Sequence, residues 1–143
     1  MLADMSQDLG IVDGLAQLSF LVQGALAKRA AVHDLSMTQV RLLGVLRDRR
    51  PGVNQLAALL ELDKSSITGL VDRASARGLV TRVPSERDRR AVEVVLTDRG
   101  RALAEEVERD FGADVAVLVG GLTDPEQRRL SALASRVIET SQA

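Results

Sequence analysis

Cysteine is absent from the 143 residues, which removes disulfides, thiolate nucleophiles, cysteine redox sensing and cysteine-rich zinc sites together. Tryptophan and tyrosine are absent as well, and the aromatic complement is Phe20 and Phe111. Single-stranded nucleic acid is gripped by stacking bases on aromatic side chains, so that mode has no platform here, whereas duplex DNA remains open. His33 is the one histidine, and a metal centre around it would need carboxylates that the sequence does not group with it. No metal or other cofactor is expected. Long hydrophobic runs are also missing: Ala116-Val117-Leu118-Val119 ends at Gly120-Gly121, far short of the roughly 20 residues that span a bilayer. Met1 to Asp8 has neither the basic start nor the apolar core of a signal peptide. The expectation is a soluble cytoplasmic protein with no membrane contact. Without a nucleophile–base constellation, a phosphate loop or metal-ligand spacing, an enzyme is not expected either.

Hydrophobic residues make up 45% of the chain, enough for one core at this length and too little chain for two, so 1–143 is expected to form one domain. The net charge of −1 conceals an asymmetry. Between Arg41 and Arg101 there are 13 Lys/Arg against 8 Asp/Glu, and the rest of the chain carries 6 against 12. Attraction to phosphates depends on the local field rather than on the overall balance. A nucleic-acid surface is therefore to be sought in the middle of the chain.

Leu9, Val12, Leu15, Leu18, Val22, Ala25 and Leu26 recur at three- and four-residue spacing, which predicts a long first helix from about Asp8 to Val32. Ser36 suits the N-cap of a second helix through Arg47, with Val40, Leu43 and Leu46 inward; Arg49-Arg50-Pro51-Gly52 ends it. A short third helix is predicted from Asn54, also a good cap, with Leu56, Leu59 and Leu60 buried. Asp63 can cap a fourth, Lys64 to Arg77, with Ile67, Leu70, Val71 and Ala74 inward and Gly78 in the C′ position. Thr97 can cap a fifth, on which Leu103, Val107, Phe111 and Val115 fall in register. Thr123-Asp124-Pro125-Glu126 is a capping box with proline in the first turn of a sixth helix, which carries Leu130, Leu133, Ala134, Val137 and Ile138.

Between the fourth and fifth helices, the β-type runs Leu79 to Val83 and Val92 to Leu96 flank Pro84-Ser85-Glu86-Arg87-Asp88-Arg89-Arg90. They read as a hairpin with a cationic tip, packing Val92, Val94 and Leu96 on the helices and leaving its other face wet. Helix, turn at Glu61-Leu62-Asp63, helix and charged hairpin, in that order, suggest a winged-helix protein that binds double-stranded DNA. The fold class is then mainly α with a small β-hairpin wing: a winged helix-turn-helix at 36–96, flanked by N- and C-terminal dimerisation helices at 8–35 and 97–143. The terminal helices carry apolar stripes that a domain this small would struggle to cover alone, and a twofold homodimer is the expected solution. It would present two recognition helices to half-sites separated by about 10 bp or a multiple of it.

The segment Asp88-Arg89-Arg90-Ala91-Val92-Glu93-Val94-Val95-Leu96-Thr97-Asp98-Arg99-Gly100 resembles the wing of the MarR (multiple antibiotic resistance regulator) family, Asp-x-Arg followed by a strand and Leu-Thr-x-x-Gly. Leu70-Val71-Asp72-Arg73 with Arg77-Gly78-Leu79-Val80 is similar to the end of that family's recognition helix and the entry into its wing. The order of elements agrees over nearly the whole chain. The resemblance implies homodimers, palindromic operators, repression of nearby genes, and release from DNA when a small ligand binds between the dimerisation and DNA-binding parts. Two positions depart from the family. Gly69 stands where many members have a long exposed side chain, so Ser66, Thr68, Arg73 or the backbone would have to read bases there. Ala74 stands where Leu is common, which implies looser packing beneath the helix.

Arg90 is the first candidate for DNA contact, since an arginine at a hairpin tip can enter the electronegative minor groove. Asp88 is expected to hold it by a charge-assisted hydrogen bond; the alternative is a solvated ion pair of little energetic worth. Arg87 and Arg89 suit phosphate contacts or plain solvent-facing charge. Ser65, Ser66, Thr68, Gly69 and Arg73 share the outward face of the recognition helix, although the hydroxyls can equally serve local backbone groups. Lys64 and Asn54 stand at helix starts, where side chains and N–H groups meet phosphates, and Asn54 can instead be only a cap. For a small apolar or anionic aromatic effector, Phe20, His33, Arg41 and Phe111 are the candidates to border a cavity. Core or dimer packing is the alternative for both phenylalanines, and simple exposure for His33. Rival readings are a regulator without a small-molecule effector, and a winged-helix module that has lost DNA binding and docks proteins.

Overall fold

A computed structural model describes residues 7–143; Met1 to Ser6, most of the stretch read for a leader, lie outside the described residues. The elements follow in the predicted order: α1 (Ile11–Val32), α2 (Met37–Leu46), α3 (Val53–Leu60), α4 (Lys64–Ala76), β1 (Val80–Pro84), β2 (Val92–Leu96), α5 (Asp98–Leu118) and α6 (Asp124–Ser141). By contact density the chain divides into a unit ending at Phe111 and a unit of Gly112–Ala143. Among the described residues no helix is long and apolar enough to cross a membrane.

Local chemistry sets most of the boundaries. Ser36 Oγ accepts the Gln39 backbone N–H at 3.1 Å and Gln39 Oε1 accepts that of Ser36 at 3.0 Å, so two orphan donors at the start of α2 are satisfied reciprocally. Two starts differ from expectation. The first helix begins at Ile11 rather than near Asp8, because Gly10 sits at φ +81° and its N–H is turned onto Asp8 Oδ1 at 2.7 Å. The third begins at Val53 with Gly52 as its N-cap, which puts Asn54 inside the exposed first turn and not at the cap. The cause is distant in sequence: Pro51 O accepts the Val94 N–H at 2.9 Å and Gly52 bridges to Glu93. The chain before α3 is thereby extended against β2, and only after Gly52 can it coil.

The core lies among α2, α3, α4 and the hairpin. Leu42, Leu56, Leu60, Ile67, Leu70, Val71, Leu79, Val80 and Val94 are fully enclosed, and Ala74 is buried with them. Each such aliphatic side chain contributes about 1.5–3 kcal/mol relative to exposure. The predicted inward face of α4 is buried at all four positions. Leu59, expected inside, is exposed, since it falls at the edge of the stripe that Leu56 and Leu60 direct inward. In the hairpin Val80 opposes Leu96 and Pro84 opposes Val92. Pairing thus starts one residue later than predicted, and Leu79 turns into the core instead. Val94 is buried and Leu96 half-buried, but Val92, at the tip end of the hairpin opposite Pro84, is exposed.

The Leu-Thr-x-x-Gly segment closes the wing onto the helices. Thr97 Oγ1 donates to Gly78 O at 2.6 Å and accepts the Gly100 N–H at 3.0 Å, while the Thr97 N–H donates to Leu79 O at 3.0 Å. A Cβ on Gly100 would lie 1.9 Å from Leu79 O, so only glycine permits this approach. Gly78 itself, at φ +74°, ends α4 as expected.

The terminal helices have a different character. In α1, Ala30 is buried and Leu26 packs against the core, whereas Ile11 (75% exposed), Val12, Leu15, Phe20 and Leu21 are open. In α6 the predicted capping box is present, Thr123 Oγ1 accepting the Glu126 N–H at 3.3 Å and Glu126 Oε1 accepting that of Thr123 at 2.9 Å. No residue of α6 is buried; Leu130, Leu133, Val137 and Ile138 (54% exposed) are all open.

Candidate nucleic-acid interface

The outward face of α4 is short, polar and fastened at its start. Asp63 Oδ1 accepts the Ser66 N–H at 2.7 Å and the Ser65 hydroxyl at 2.8 Å, while Thr68 Oγ1 donates to Lys64 O at 2.9 Å. The Ser66 N–H, followed by the Ser65 hydroxyl, stabilises the carboxylate and holds the Asp63 pKa below its ordinary value of 3.8. Lys64, Ser65, Ser66, Thr68 and Arg73 are exposed and Gly69 half-exposed. The far end is anchored as well: Arg77 spans His33 O and Asp34 O with its two terminal nitrogens, at 2.9 and 2.8 Å. Arg82 of β1 pairs with Asp72 of α4 at 2.7 Å. The pair joins the helix to the first strand of the wing.

The wing tip is built around a buried hydroxyl. Ser85, 7% exposed, accepts the backbone N–H groups of Arg87 (3.2 Å) and Asp88 (3.4 Å) and donates to Glu93 Oε2 (3.3 Å). Glu93 Oε1 meets Arg50 Nε at 3.3 Å, on the segment before α3. Asp88 does not grip the Arg90 guanidinium as expected; its Oδ1 accepts the Arg90 backbone N–H at 3.0 Å, because two residues of separation in a tight turn bring the carboxylate to the main chain first. That shapes the tip and leaves the Arg87, Arg89 and Arg90 side chains exposed.

Of the four effector candidates, two come together. Arg41 and Phe111 border a cavity of about 220 Å³ whose apolar walls include Leu26, Val40, Leu43 and Val107. Arg47 and Glu108, also in its lining, pair at 3.0 Å, whereas among the described residues Arg41 reaches only Leu60 O at 3.4 Å. Phe20 and His33 lie elsewhere. Phe20 is on the open part of α1, 72% exposed, and His33 faces Glu106 at 4.0 Å from the turn after α1. Helical periodicity places Phe20 on a stripe without saying which neighbour covers it, and a loop residue carries no such information at all.

A winged helix-turn-helix in this chain order, ending in Leu-Thr-x-x-Gly, matches known proteins at several levels. A family model described as MarR family matches residues 33–91. The HTH-type transcriptional regulator PecS of Dickeya dadantii is 30% identical over 131 residues, covering 89% of this chain and 79% of that one. The chain belongs to the MarR family. Its members are winged-helix, DNA-binding transcriptional regulators, and the fold agrees. CouR from Rhodococcus jostii RHA1, crystallised with p-coumaroyl-CoA, superposes with a TM-score of 0.75 at 27% identity, over 92% of this chain and 95% of that one. RV1404 from Mycobacterium tuberculosis superposes with a TM-score of 0.76 at 26% identity, over 91% and 90%. Against Escherichia coli MarR the alignment spans 59% of that protein's length.

Relative to the MarR pattern, Ala74 is buried in the core and Gly69 is half-exposed. Sequence reasoning missed Arg50, Arg77, Arg82 and Glu93, which hold the helix and the wing in place. Glu93 carries a faint signal, as the one charged residue within Val92 to Leu96. Arg50 and Arg77 carry none, because their partners are backbone carbonyls or distant carboxylates.

Proposed function

We propose that this MarR-family chain acts as a homodimeric repressor that binds a pseudo-palindromic duplex operator and is released by a small effector. The observation that carries the DNA contact is the pairing of α4, with its exposed polar face, to a wing whose three tip arginines are exposed. Such a pair suits the major groove for the helix and the flanking minor groove for Arg90, with Lys64, Asn54, Arg87 and Arg89 toward phosphates. The apolar stripes left open on α1 and α6 support dimerisation. The cavity has the walls for one apolar ring, and Arg41 on its border meets no carboxylate among the described residues, which favours an anionic aromatic ligand. CouR's p-coumaroyl-CoA also joins an aromatic ring to anionic groups, there the phosphates of CoA. A cytoplasmic location goes with this reading.

The test is an anisotropy titration on duplexes from the DNA around its own gene, repeated with aromatic carboxylates and p-coumaroyl-CoA. Two chains per duplex, a twofold-symmetric footprint and ligand-driven release are expected. An affinity indifferent to every ligand would remove the effector from the reading. Failure to shift any of these duplexes at low salt would favour the protein-docking alternative.

A further inference from the structure

Glycine disfavours a helix interior relative to alanine, so Gly69 in the middle of α4 calls for a reason. A Cβ at this position would lie 3.1 Å from Nη1 of Arg73, the residue one turn further along the same face. The guanidinium therefore lies over the space that any side chain at 69 would occupy. That space belongs to a depression of about 590 Å³ whose lining includes Thr38 and Gln39 of α2 and Ser65, Ser66, Gly69 and Arg73 of α4. Arg73 is the one arginine lining it, and other arginines of the winged helix are engaged elsewhere: Arg77 by two carbonyls, Arg82 by Asp72, Arg47 by Glu108. The Arg73 side chain makes no hydrogen bond or ion pair among the described residues, and the neighbouring carboxylate of Asp72 is taken by Arg82.

We propose that Arg73, seated over Gly69, is the specificity-determining residue of the recognition helix and reads a guanine through its N7 and O6. The guanidinium fork matches those two acceptors, the commonest specific contact in the major groove. Its small neutral neighbours let a base edge approach, whereas the cations placed for phosphates stand at the margins, Lys64 at the helix start and Arg87 and Arg89 on the wing. Gly69 serves Arg73 rather than the base: a methyl there displaces the guanidinium by a few tenths of an ångström or turns it to another rotamer. The inference rests on the reading that α4 enters the major groove.

Selection from a random duplex library with the full-length protein tests it, followed by affinities on the selected and on a scrambled duplex. The wild type is expected to require one G·C pair in each half-site, and R73A to lose that requirement. On the wild-type site, R73A should bind about 5- to 150-fold more weakly for each half-site, the two losses multiplying in the dimer, with a much smaller loss on the scrambled duplex. G69A should lose affinity in the same sense by a smaller factor, while its melting temperature holds or rises, and it should add nothing in the R73A background. A uniform loss on all duplexes makes Arg73 a phosphate contact and overturns the proposal, though α4 stays in the groove. A loss in G69A that persists without Arg73 overturns the coupling. If neither R73A nor the pair S66A/T68A changes any affinity, the placement of α4 itself falls.

Discussion

Helices α4 and α6 are alike in design and opposite in outcome. Each opens with a side-chain cap and carries an apolar residue at every third or fourth position, yet α4 buries Ile67, Leu70, Val71 and Ala74 while α6 buries nothing. The difference lies in what surrounds them. Around α4 the chain supplies α2, α3 and the hairpin as walls; Leu130, Leu133, Val137 and Ile138 remain open. The winged helix is complete within one chain, and the apolar surface of α6 and of the first half of α1 is surplus that a second copy can use. Stability of the reading head and assembly of the proposed dimer should therefore respond to separate substitutions.

Gly100→Ala should give the largest effect. Its Cβ meets backbone, not a yielding side chain, so the loss should reach about 3 kcal/mol or more, at the upper end of overpacking costs. A urea melt would read this directly, and a loss under about 1 kcal/mol would show that the wing root yields and that the winged helix is less tightly closed than its burial implies. Next comes Leu133→Glu combined with Ile138→Glu, which should convert a dimer to a monomer by sedimentation and make the melting temperature independent of protein concentration. Helix content should stay, because these side chains support no core. A dimer mass that survives both charges would place the interface elsewhere and dissolve the contrast between α4 and α6.

Within the reading head, Arg90→Ala should weaken duplex binding and flatten the plot of log K against log[salt] by about one unit per wing, with the melting temperature unmoved. Glu93→Ala should act in the same direction through geometry instead of charge, by releasing Ser85 and Arg50. Glu93→Gln keeps an acceptor for the Ser85 hydroxyl and should recover most of the affinity. If both Glu93 variants bind as the wild type does, the Ser85–Glu93–Arg50 network shapes the free wing without bearing on DNA contact.

Legibility in the sequence followed the range of the interactions. Ser36, Asp63 and Thr123 act on N–H groups within three residues, and all three caps stand where predicted. The inward face of α4 was equally legible, since one helix period fixes it. The start of α3 was not, because Gly52 is held by Glu93 more than forty residues away. Gly100 was recognisable as part of a motif, but its reason is a close approach to Leu79 O that no spacing encodes. Of the effector candidates, Arg41 and Phe111 meet at one cavity and Phe20 does not. The side of a stripe that finds a partner is decided by packing, which a list of apolar positions does not contain.

The smallest expected effect concerns the two caps themselves and returns to the pair of helices. Asp63 is held below its ordinary 3.8 by the Ser66 N–H and then the Ser65 hydroxyl; Glu126 is held below its ordinary 4.5 by the Thr123 N–H and then the Thr123 hydroxyl. A carboxylate whose pKa is lower in the folded state stabilises fully above its unfolded value, and that contribution drains as pH falls through the folded value. Both caps should therefore contribute in full at neutral pH and fade below about pH 4. Asp63→Asn keeps a good cap without the titrating charge, so its melting temperature should lie slightly below the wild type's at pH 7 and converge with it as the pH falls below the ordinary 3.8. Glu126→Gln should do the same to dimer stability and leave a forced monomer, carrying Leu133→Glu and Ile138→Glu, unaffected in its main melting transition. A shift of that monomer transition by Glu126→Gln would mean that α6 melts together with the winged helix, and the separation between the two helices would then be one of burial and not of cooperativity.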